Sequence, residues 1–168
     1  MTSNDDTQAA PERRLITTRS EYLQAADRLL VLAQRELCLF DPDLSELALD
    51  SRAHIETLTR FLSRSSDQRL WMALHDPEHV KQLCPRLITL LGSFSSSFFI
   101  NRTQGEAAKV QDCFVLADRL HVVRRPVAKQ ARGVFILHDV AEGEVMRQRF
   151  GEIWECSEPG VSANTSGL

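Results

Sequence analysis

The chain contains little cysteine and glycine, and neither is arranged as in a common functional site. Only 4 cysteines and 7 glycines occur among the 168 residues. The cysteines form no CxxC pair and have no closely spaced histidine, which argues against a disulfide framework and a zinc site. We expect buried, reduced thiols. No GxGxxG, Walker-type, HExxH or GxSxG pattern is present, so the common nucleotide, zinc-protease and hydrolase sites are not indicated and we expect no cofactor.

A strong net charge and a long hydrophobic run are also missing. The 20 basic and 23 acidic side chains give a net charge of -3, so nucleic-acid binding is not expected, although a local patch is not excluded. No apolar run approaches about 18 residues, so we expect no membrane insertion. The opening MTSNDDTQAA has neither the basic nor the apolar region of a secretory signal. We therefore expect a cytoplasmic protein.

Apolar periodicity predicts a single α/β domain over residues 15–156. Residues 1–14 and 157–168 are rich in Ser, Thr, Asn, Asp, Gly and Pro, and they show no apolar periodicity. Such segments do not bury enough apolar surface to offset the entropy of ordering. We expect two disordered tails.

Buried strands and helices alternate in the first two thirds of this domain. Thr18 and Glu21 form a capping box before a first helix, and a second helix begins near Asp50 or Ser51. A third helix is predicted to end at Gly92. Between the helices lie short apolar runs, at 37–40, 70–74 and 98–100. This order predicts a mixed, largely parallel sheet flanked by helices on both faces.

The pattern changes after residue 112. Three strand candidates, at 113–117, 120–123 and 133–137, follow one another without a helix between them. Asp118 and Arg119 separate the first two as a tight hairpin turn. Asp139 and Glu142 then cap a last helix. Its apolar stripe includes Trp154, which we expect in the core together with Trp71 of an earlier strand.

This order of elements, with its hairpin and its closing helix MRQRFGEIWE, resembles one half of the phospholipase D-like superfamily from about residue 18 to 156. In that family a strand carries the pattern HxKxxxxD, with the Asp at the hairpin turn. The matching stretch here is QDCFVLAD, which places Asp118 on the family Asp. Gln111 stands at the His position and Cys113 at the Lys position, and no GS-x-N segment follows. The pattern is therefore degenerate, reduced to its Asp.

The resemblance implies the fold, and its departures imply the loss of the family activity. In the family two half-sites meet, one His attacks phosphorus, the other protonates the leaving group, and the lysines hold phosphate oxygens. Gln111 cannot perform either His role, and Cys113 carries no positive charge. We therefore expect no catalytic residue at these two positions.

Polar residues follow each of the first three predicted strands. Because ligands of open α/β sheets gather at the carboxyl ends of strands, these residues are candidates for a site that holds a cation, a phosphate or a polar metabolite. Capping of turns is the favoured alternative, since an Asp-Pro pair follows two of the strands. With the two family positions added, the candidate ligand-binding residues are Asp41, Asp43, His75, Asp76, Asn101, Arg102, Gln111 and Asp118.

Metal and nucleic-acid sites are weaker candidates. His75 and His79 have the i, i+4 spacing of a shared helical face, but His75 is predicted at a strand end, so we expect no metal there. The nearest basic patch comprises Arg124, Arg125, Lys129 and Arg132. It has no interleaved aromatics, and we expect a solvated loop.

Three functional hypotheses remain. The leading one is a catalytically inactive phospholipase D-like module of the bacterial cytoplasm, with a binding or regulatory role, that pairs with itself or with another protein. The second is a phosphodiester-processing or nucleic-acid-acting enzyme that uses other residues, such as His75 with Asp76 and Arg102. The third is a purely structural interaction protein.

Overall fold

A computed structural model describes residues 9–163 of the chain. The strands in this part are β1 (Glu12–Ile16), β2 (Glu36–Asp41), β3 (Arg69–Leu74), β4 (Phe98–Thr103), β5 (Cys113–Ala117), β6 (His121–Arg125), β7 (Gly133–Leu137) and β8 (Ser157–Pro159). The helices are α1 (Arg19–Leu32), α2 (Arg52–Ser63), α3 (Glu78–Leu83), α4 (Pro85–Ser93) and α5 (Val140–Glu155), and a short 3-10 helix spans Gly105–Lys109.

The described strands form one mixed sheet in the order β1-β7-β6-β5-β2-β3-β4-β8. This confirms the mixed α/β class. The expectation of a largely parallel sheet is corrected, because only β2, β3 and β4 pair in parallel and the other described pairs are antiparallel. A parallel pair needs a crossover connection. Helices α2, α3 and α4 provide the crossovers between these three strands, whereas turns and a loop join β5, β6 and β7.

Three predicted helix starts are confirmed by their caps. The Thr18 hydroxyl accepts a hydrogen bond from the Glu21 backbone N–H at 3.1 Å. Ser51 caps α2 and Asp139 caps α5 in the same way. Capping satisfies backbone N–H groups that the first helical turn leaves without partners. These signals are local, which is why the sequence shows them.

The sheet separates two apolar layers. On one face α1, α2 and α4 cover a layer that includes Tyr22, Leu39 and Phe61. On the other face α5 covers a smaller layer around Phe114 and Phe150. Helices thus pack on both faces, as the alternation of elements predicted. Three of the four cysteines are buried in these layers and free, whereas Cys156 is exposed and free.

Parts of both predicted tails belong to the sheet. β1 pairs antiparallel with β7, and β8 pairs antiparallel with β4. The tail boundaries at residues 14 and 157 are therefore corrected. Backbone hydrogen bonds to an existing sheet edge do not require an apolar pattern, so short polar strands escape a periodicity argument. The remaining tail residues, 1–8 and 164–168, lie outside the described part of the chain.

Two further features of the fold differ from the sequence prediction. The short helix α3 was not predicted, and Gly92 lies inside α4 rather than at its end. Within residues 9–163, no helix is long and apolar enough to cross a membrane.

Candidate functional site

The ends of β2 and β3 place two candidate residues on opposite faces of the sheet. Asp41 follows Phe40 in β2, and successive strand residues point to opposite faces. The His75 ring packs edge-on against Phe40, with the ring centroids 5.2 Å apart, so it lies on the α5 face. Asp41 lies on the α1 face. These two residues therefore do not share one concavity.

Asp41 is a buried carboxylate that is only partly satisfied. Its Oδ2 accepts hydrogen bonds from the backbone N–H of Leu44 at 2.8 Å and of Asp43 at 3.2 Å, as the capping interpretation predicts. Its Oδ1 has no hydrogen-bond partner within the described residues. Burial raises the pKa of Asp41 to about 6, although the two backbone hydrogen bonds oppose the rise. Asp41 thus maintains the turn at the cost of an unpaired buried oxygen.

Cys113, at the Lys position of the family pattern, belongs to a buried cluster on the α1 face. Its Sγ lies 3.5 Å from the Tyr22 hydroxyl and accepts a hydrogen bond from Arg125 Nε at 3.3 Å. The Arg125 guanidinium also stacks 4.1 Å from the centre of the Tyr22 ring and pairs with Glu46 at 3.0 Å. Burial raises the pKa of the Cys113 thiol. The position is therefore a neutral thiol, and the adjacent cation is fully engaged within the protein.

Both nitrogens of His75 are engaged. Nε2 lies 2.8 Å from the Val110 carbonyl oxygen, and Nδ1 lies 2.6 Å from the Thr103 hydroxyl oxygen. A carbonyl oxygen only accepts, so Nε2 carries the proton and, in the neutral ring, Nδ1 accepts from Thr103. A nucleophilic imidazole needs a free nitrogen lone pair, which His75 lacks in this arrangement. The hydroxyl placed to lose its proton to Nδ1 is that of Thr103, which is 3% exposed and therefore closed to a substrate. His75 thus acts as a bridge between β4 and the segment before β5.

A pocket of about 410 Å³ opens beside His75 at this end of the sheet. Pro42, Val110 and Val127 supply part of its apolar wall. Its polar lining comes from four side chains, His75, Lys109, Gln111 and Lys129. Apolar walls with a few polar groups are typical of sites for small ligands. The structure thus brings His75 and Gln111 together, and it adds two lysines that sequence reasoning did not assign to this site.

Four of the other candidates lie outside this pocket, and three of them make side-chain hydrogen bonds elsewhere. The Asp43 carboxylate accepts from the backbone N–H and hydroxyl of Ser45. The Asp76 carboxylate accepts from the Glu78 backbone N–H, as expected for a turn. The other two lie in β4, where Asn101 donates to the Ser157 hydroxyl and Arg102 is exposed. The enzyme hypothesis built on His75, Asp76 and Arg102 finds no shared site for them.

Asp118 lies at the opposite end of β5 from Gln111. Its carboxylate accepts hydrogen bonds from three successive backbone N–H groups, those of Gln34, Arg35 and Glu36, at 2.8 to 3.1 Å. Its φ is 55° and that of Arg119 is 56°, so both turn residues are left-handed. Asp tolerates this conformation better than most residues. Asp118 therefore holds the turn against the start of β2.

Sequence reasoning missed a buried carboxylate next to Gln111. The side chain of Asp112 is 2% exposed and pairs with Arg149 at 2.7 Å and with Arg124 at 3.0 Å. Arg125 is ion-paired as well. Two members of the predicted basic patch are therefore not solvated cations, which corrects that interpretation. The sequence signal was an acidic residue directly before a buried strand.

No group of three or more His, Cys, Asp and Glu side chains in residues 9–163 is arranged to hold a metal ion. His79 lies in α3 while His75 precedes that helix, so the two do not share a helical face.

Sequence comparison matches residues 18–164 to a family described as a domain of unknown function, DUF7931. No curated protein matches the chain.

Solved structures with similar folds have low sequence identity to the chain. TrmBL2, described as an archaeal chromatin protein with a novel mode of DNA binding, has a TM-score of 0.65 and 13% identity over 88% of this chain and 54% of its own. Nuc, a phospholipase D family member from Salmonella typhimurium, has a TM-score of 0.56 and 10% identity over 91% and 100%. NucT from Helicobacter pylori has a TM-score of 0.59 and 10% identity over 90% and 100%.

These similarities show the fold. The chain spans about half the length of TrmBL2 and the full length of Nuc and NucT. The phospholipase D-like fold that the resemblance implied is therefore confirmed.

Proposed function

The chain belongs to the family DUF7931, a domain of unknown function, and we propose that it works as a non-catalytic binding module. Its phospholipase D-like fold supplies the scaffold. Its site is the pocket that contains His75 and Gln111, and its ligand is a small molecule that bears a phosphate. The role is binding or regulation, and the half-domain pattern of the family is degenerate in this chain.

The state of positions 111 and 113 carries the proposal. Gln111 is an exposed amide. Cys113 is a buried thiol that is hydrogen-bonded to the Tyr22 hydroxyl and to the Arg125 guanidinium. A phosphohistidine route needs a nucleophilic imidazole and a cation there. Removing the nucleophile from such a constellation can cost about six orders of magnitude in turnover. His75 does not replace it, because both of its nitrogens are engaged.

The charge of the pocket supports a phosphate-bearing ligand. Lys109 and Lys129 line it, and only Lys109 has an acidic partner among the described residues, with Glu106 at 3.2 Å. Lysine donors pair strongly with phosphate oxygens. The apolar wall suits the uncharged body of such a molecule. One structure with a similar fold is of a DNA-binding chromatin protein, which supports a binding role for the fold.

Calorimetric titration with adenosine monophosphate tests the ligand class. We expect the double substitution Lys109→Gln with Lys129→Gln to weaken binding about tenfold or more, since a bond to a charged group contributes about 1.5–3 kcal/mol. Lys81→Gln is the matched control, because Lys81 also pairs with a glutamate three residues earlier. It should change affinity less than about twofold. Equal affinities in both variants, or no heat with any phosphate-bearing compound, would contradict the proposal.

Turnover assays test the absence of catalysis. We expect no hydrolysis of bis(p-nitrophenyl) phosphate or single-stranded DNA, with or without a chelator. Hydrolysis that His75→Ala abolishes and Gln111→Ala leaves unchanged would favour the enzyme hypothesis instead. If the protein is purely structural, neither binding of adenosine monophosphate nor hydrolysis should be detected.

The pairing with a second copy or another protein that the resemblance implies stays a prediction, as does the cytoplasmic location.

A further inference from the structure

A second groove lies at the outer edge of the sheet, where β1 and β7 meet α1. Its volume is about 390 Å³, and three arginines, Arg13, Arg14 and Arg28, line it. None of its lining residues belongs to the pocket around His75. The two regions can therefore be changed independently.

One buried aromatic ring positions two of these arginines. The guanidinium carbons of Arg14 and Arg28 lie 5.4 and 5.8 Å from the centre of the Phe135 ring. Phe135 is 3% exposed, and it lies opposite Arg14 in the β1–β7 register. Cation–π contacts hold a guanidinium without using its hydrogen-bond donors. Both side chains therefore stay in place with their N–H groups free.

The three arginines have no anionic partner in the part of the chain that the structure describes. Neither an ion pair nor a side-chain hydrogen bond involves any of them, and Glu12, the one acidic residue of the groove, pairs with none of them. Other arginines that lie close together are neutralised by a shared carboxylate, as Arg124 and Arg149 are by Asp112. Like charges placed together repel unless an anion joins them. The groove thus presents unneutralised positive charge although the whole chain has a net charge of -3.

We propose that this groove binds the phosphate backbone of single-stranded nucleic acid. Guanidinium groups match phosphate oxygens in geometry as well as in charge. Their exposed planes also stack on unpaired bases, which a duplex keeps inside its helix. The side chain of Arg13 leaves β1 on the opposite face from Arg14, because successive strand residues alternate, so we assign the phosphate contacts to Arg14 and Arg28. A strand and a helix fix these positions, which suits contacts to successive phosphates.

A membrane surface fits the groove less well. Polybasic membrane-binding segments usually carry about four to eight lysines and arginines on a face that meets a flat bilayer. Here three arginines line a concavity. The chemistry and the shape together favour a narrow polyanionic chain.

Fluorescence anisotropy with a labelled oligothymidylate of about 20 nucleotides tests the proposal. We expect binding at low salt, with an affinity that the double substitution Arg14→Gln with Arg28→Gln lowers about tenfold or more. Each phosphate contact on a single strand contributes about 0.7 to the slope of log affinity against log salt concentration, so that slope should fall by about 1.4. Arg60→Gln is the control, because Arg60 is an exposed arginine of α2 with no ion pair in residues 9–163. It should leave affinity and slope unchanged.

Two more variants separate binding from folding. Arg14→Lys with Arg28→Lys keeps the charges and should retain most of the salt slope. Arg13→Gln, on the opposite face of β1, leaves the Phe135 contacts intact and should lower the slope by less than about 0.7. Unchanged binding in the Arg14→Gln/Arg28→Gln variant would overturn the proposal.

Vesicles of phosphatidylserine with phosphatidylcholine provide the competing surface. Tighter binding to these vesicles than to the oligonucleotide, lost in the same arginine variants, would assign the groove to a membrane and overturn the proposal. If the groove does not bind the oligonucleotide, the proposal for the pocket around His75 is unaffected, because Lys109 and Lys129 are unchanged in every variant.

Discussion

The two ends of β5 retain different parts of one sequence pattern. At the Asp118 end, the family Asp is present and its carboxylate accepts three backbone hydrogen bonds. At the Gln111 end, the family His and Lys are replaced, by an exposed amide and by a buried thiol. One end of the strand therefore keeps a residue on which the fold depends. The other carries Gln111 and Cys113 at the two positions that the resemblance assigns to the catalytic His and Lys.

The difference separates a structural residue from chemical residues within a single motif. Asp118 connects β5 to β2 through backbone groups, so its contacts remain useful whatever the site binds. A nucleophile and a phosphate-binding cation are useful only for the reaction. In this chain Asp118 therefore has a structural role that does not depend on any chemistry at positions 111 and 113.

Substitution of Asp118 should have the largest effect on stability. In Asp118→Ala, three backbone N–H groups lose their acceptor and a residue with φ of 55° loses a side chain suited to that conformation. We expect the free energy of unfolding to fall by about 2–4 kcal/mol. Urea denaturation measures it. Asp118→Asn keeps one acceptor oxygen and should cost less. A loss below about 0.5 kcal/mol in Asp118→Ala would remove the contrast between the two ends.

Asp41 lies near the Gln111 end of β5. Its substitution should raise the free energy of unfolding at neutral pH, whereas substitution of Asp118 should lower it. The pKa of Asp41 is raised to about 6, so the folded protein binds the proton more tightly than the unfolded chain does. As pH rises from about 4 to above 6, the unfolded chain releases this proton first. The contribution of Asp41 to stability is therefore full below about pH 4 and is lost as pH rises through 6.

Asp41→Asn removes this titration. Between pH 4 and pH 7.5 the variant should gain about 1–3 kcal/mol relative to the unmodified protein, since the displaced pKa corresponds to up to about 3 kcal/mol. Denaturation at the two pH values measures the gain. Asp76→Asn is the control, because the Asp76 carboxylate also caps a turn but is exposed and is not among the groups that shift the pKa of Asp41. A difference between variant and unmodified protein that does not depend on pH would show that Asp41 is well accommodated as an anion.

Gln111→Ala should have the smallest effect. The Gln111 side chain is exposed, and its only described hydrogen bond is through its backbone carbonyl, which accepts from the Ala128 N–H at 2.7 Å. We expect a change below about 0.5 kcal/mol in the free energy of unfolding, which is usual for an exposed position. Its effect should instead appear in affinity for adenosine monophosphate. A loss of several kcal/mol in stability would show that the Gln111 end is as structural as the Asp118 end.

The candidate site was only partly predictable from the sequence. The rule that ligands gather at strand ends identified His75, and the resemblance identified Gln111, and these two residues line one pocket. The same rule also selected Asp43 and Asp76, which cap turns. Both uses place an acidic residue after a strand, so the sequence pattern does not separate them. Lys109 has no distinguishing pattern, and Lys129 was assigned to a solvated loop, whereas the fold brings both to this pocket.

Local chemistry in the sequence determined the helix starts, the buried strands and the hairpin turn. The capping residues Thr18, Ser51 and Asp139 act on backbone groups within a few residues of themselves, and the left-handed turn at Asp118 and Arg119 is a local conformation. Solid apolar runs indicate strands buried on both faces, because each residue must then meet apolar neighbours. Such signals depend little on the rest of the chain, so they are visible without it.

Only the tertiary structure decided which side chains neutralise one another and which strands complete the sheet. Asp112 meets Arg149 across 37 residues, and β1 pairs with β7 across more than 100 positions of the sequence. Trp71 and Trp154, expected in the core, are half-buried and pack against Phe150 at the edge of the smaller layer. The physical reason is that burial and ion pairing depend on distances in space. Sequence periodicity reports which face of an element is apolar, but not what packs against that face.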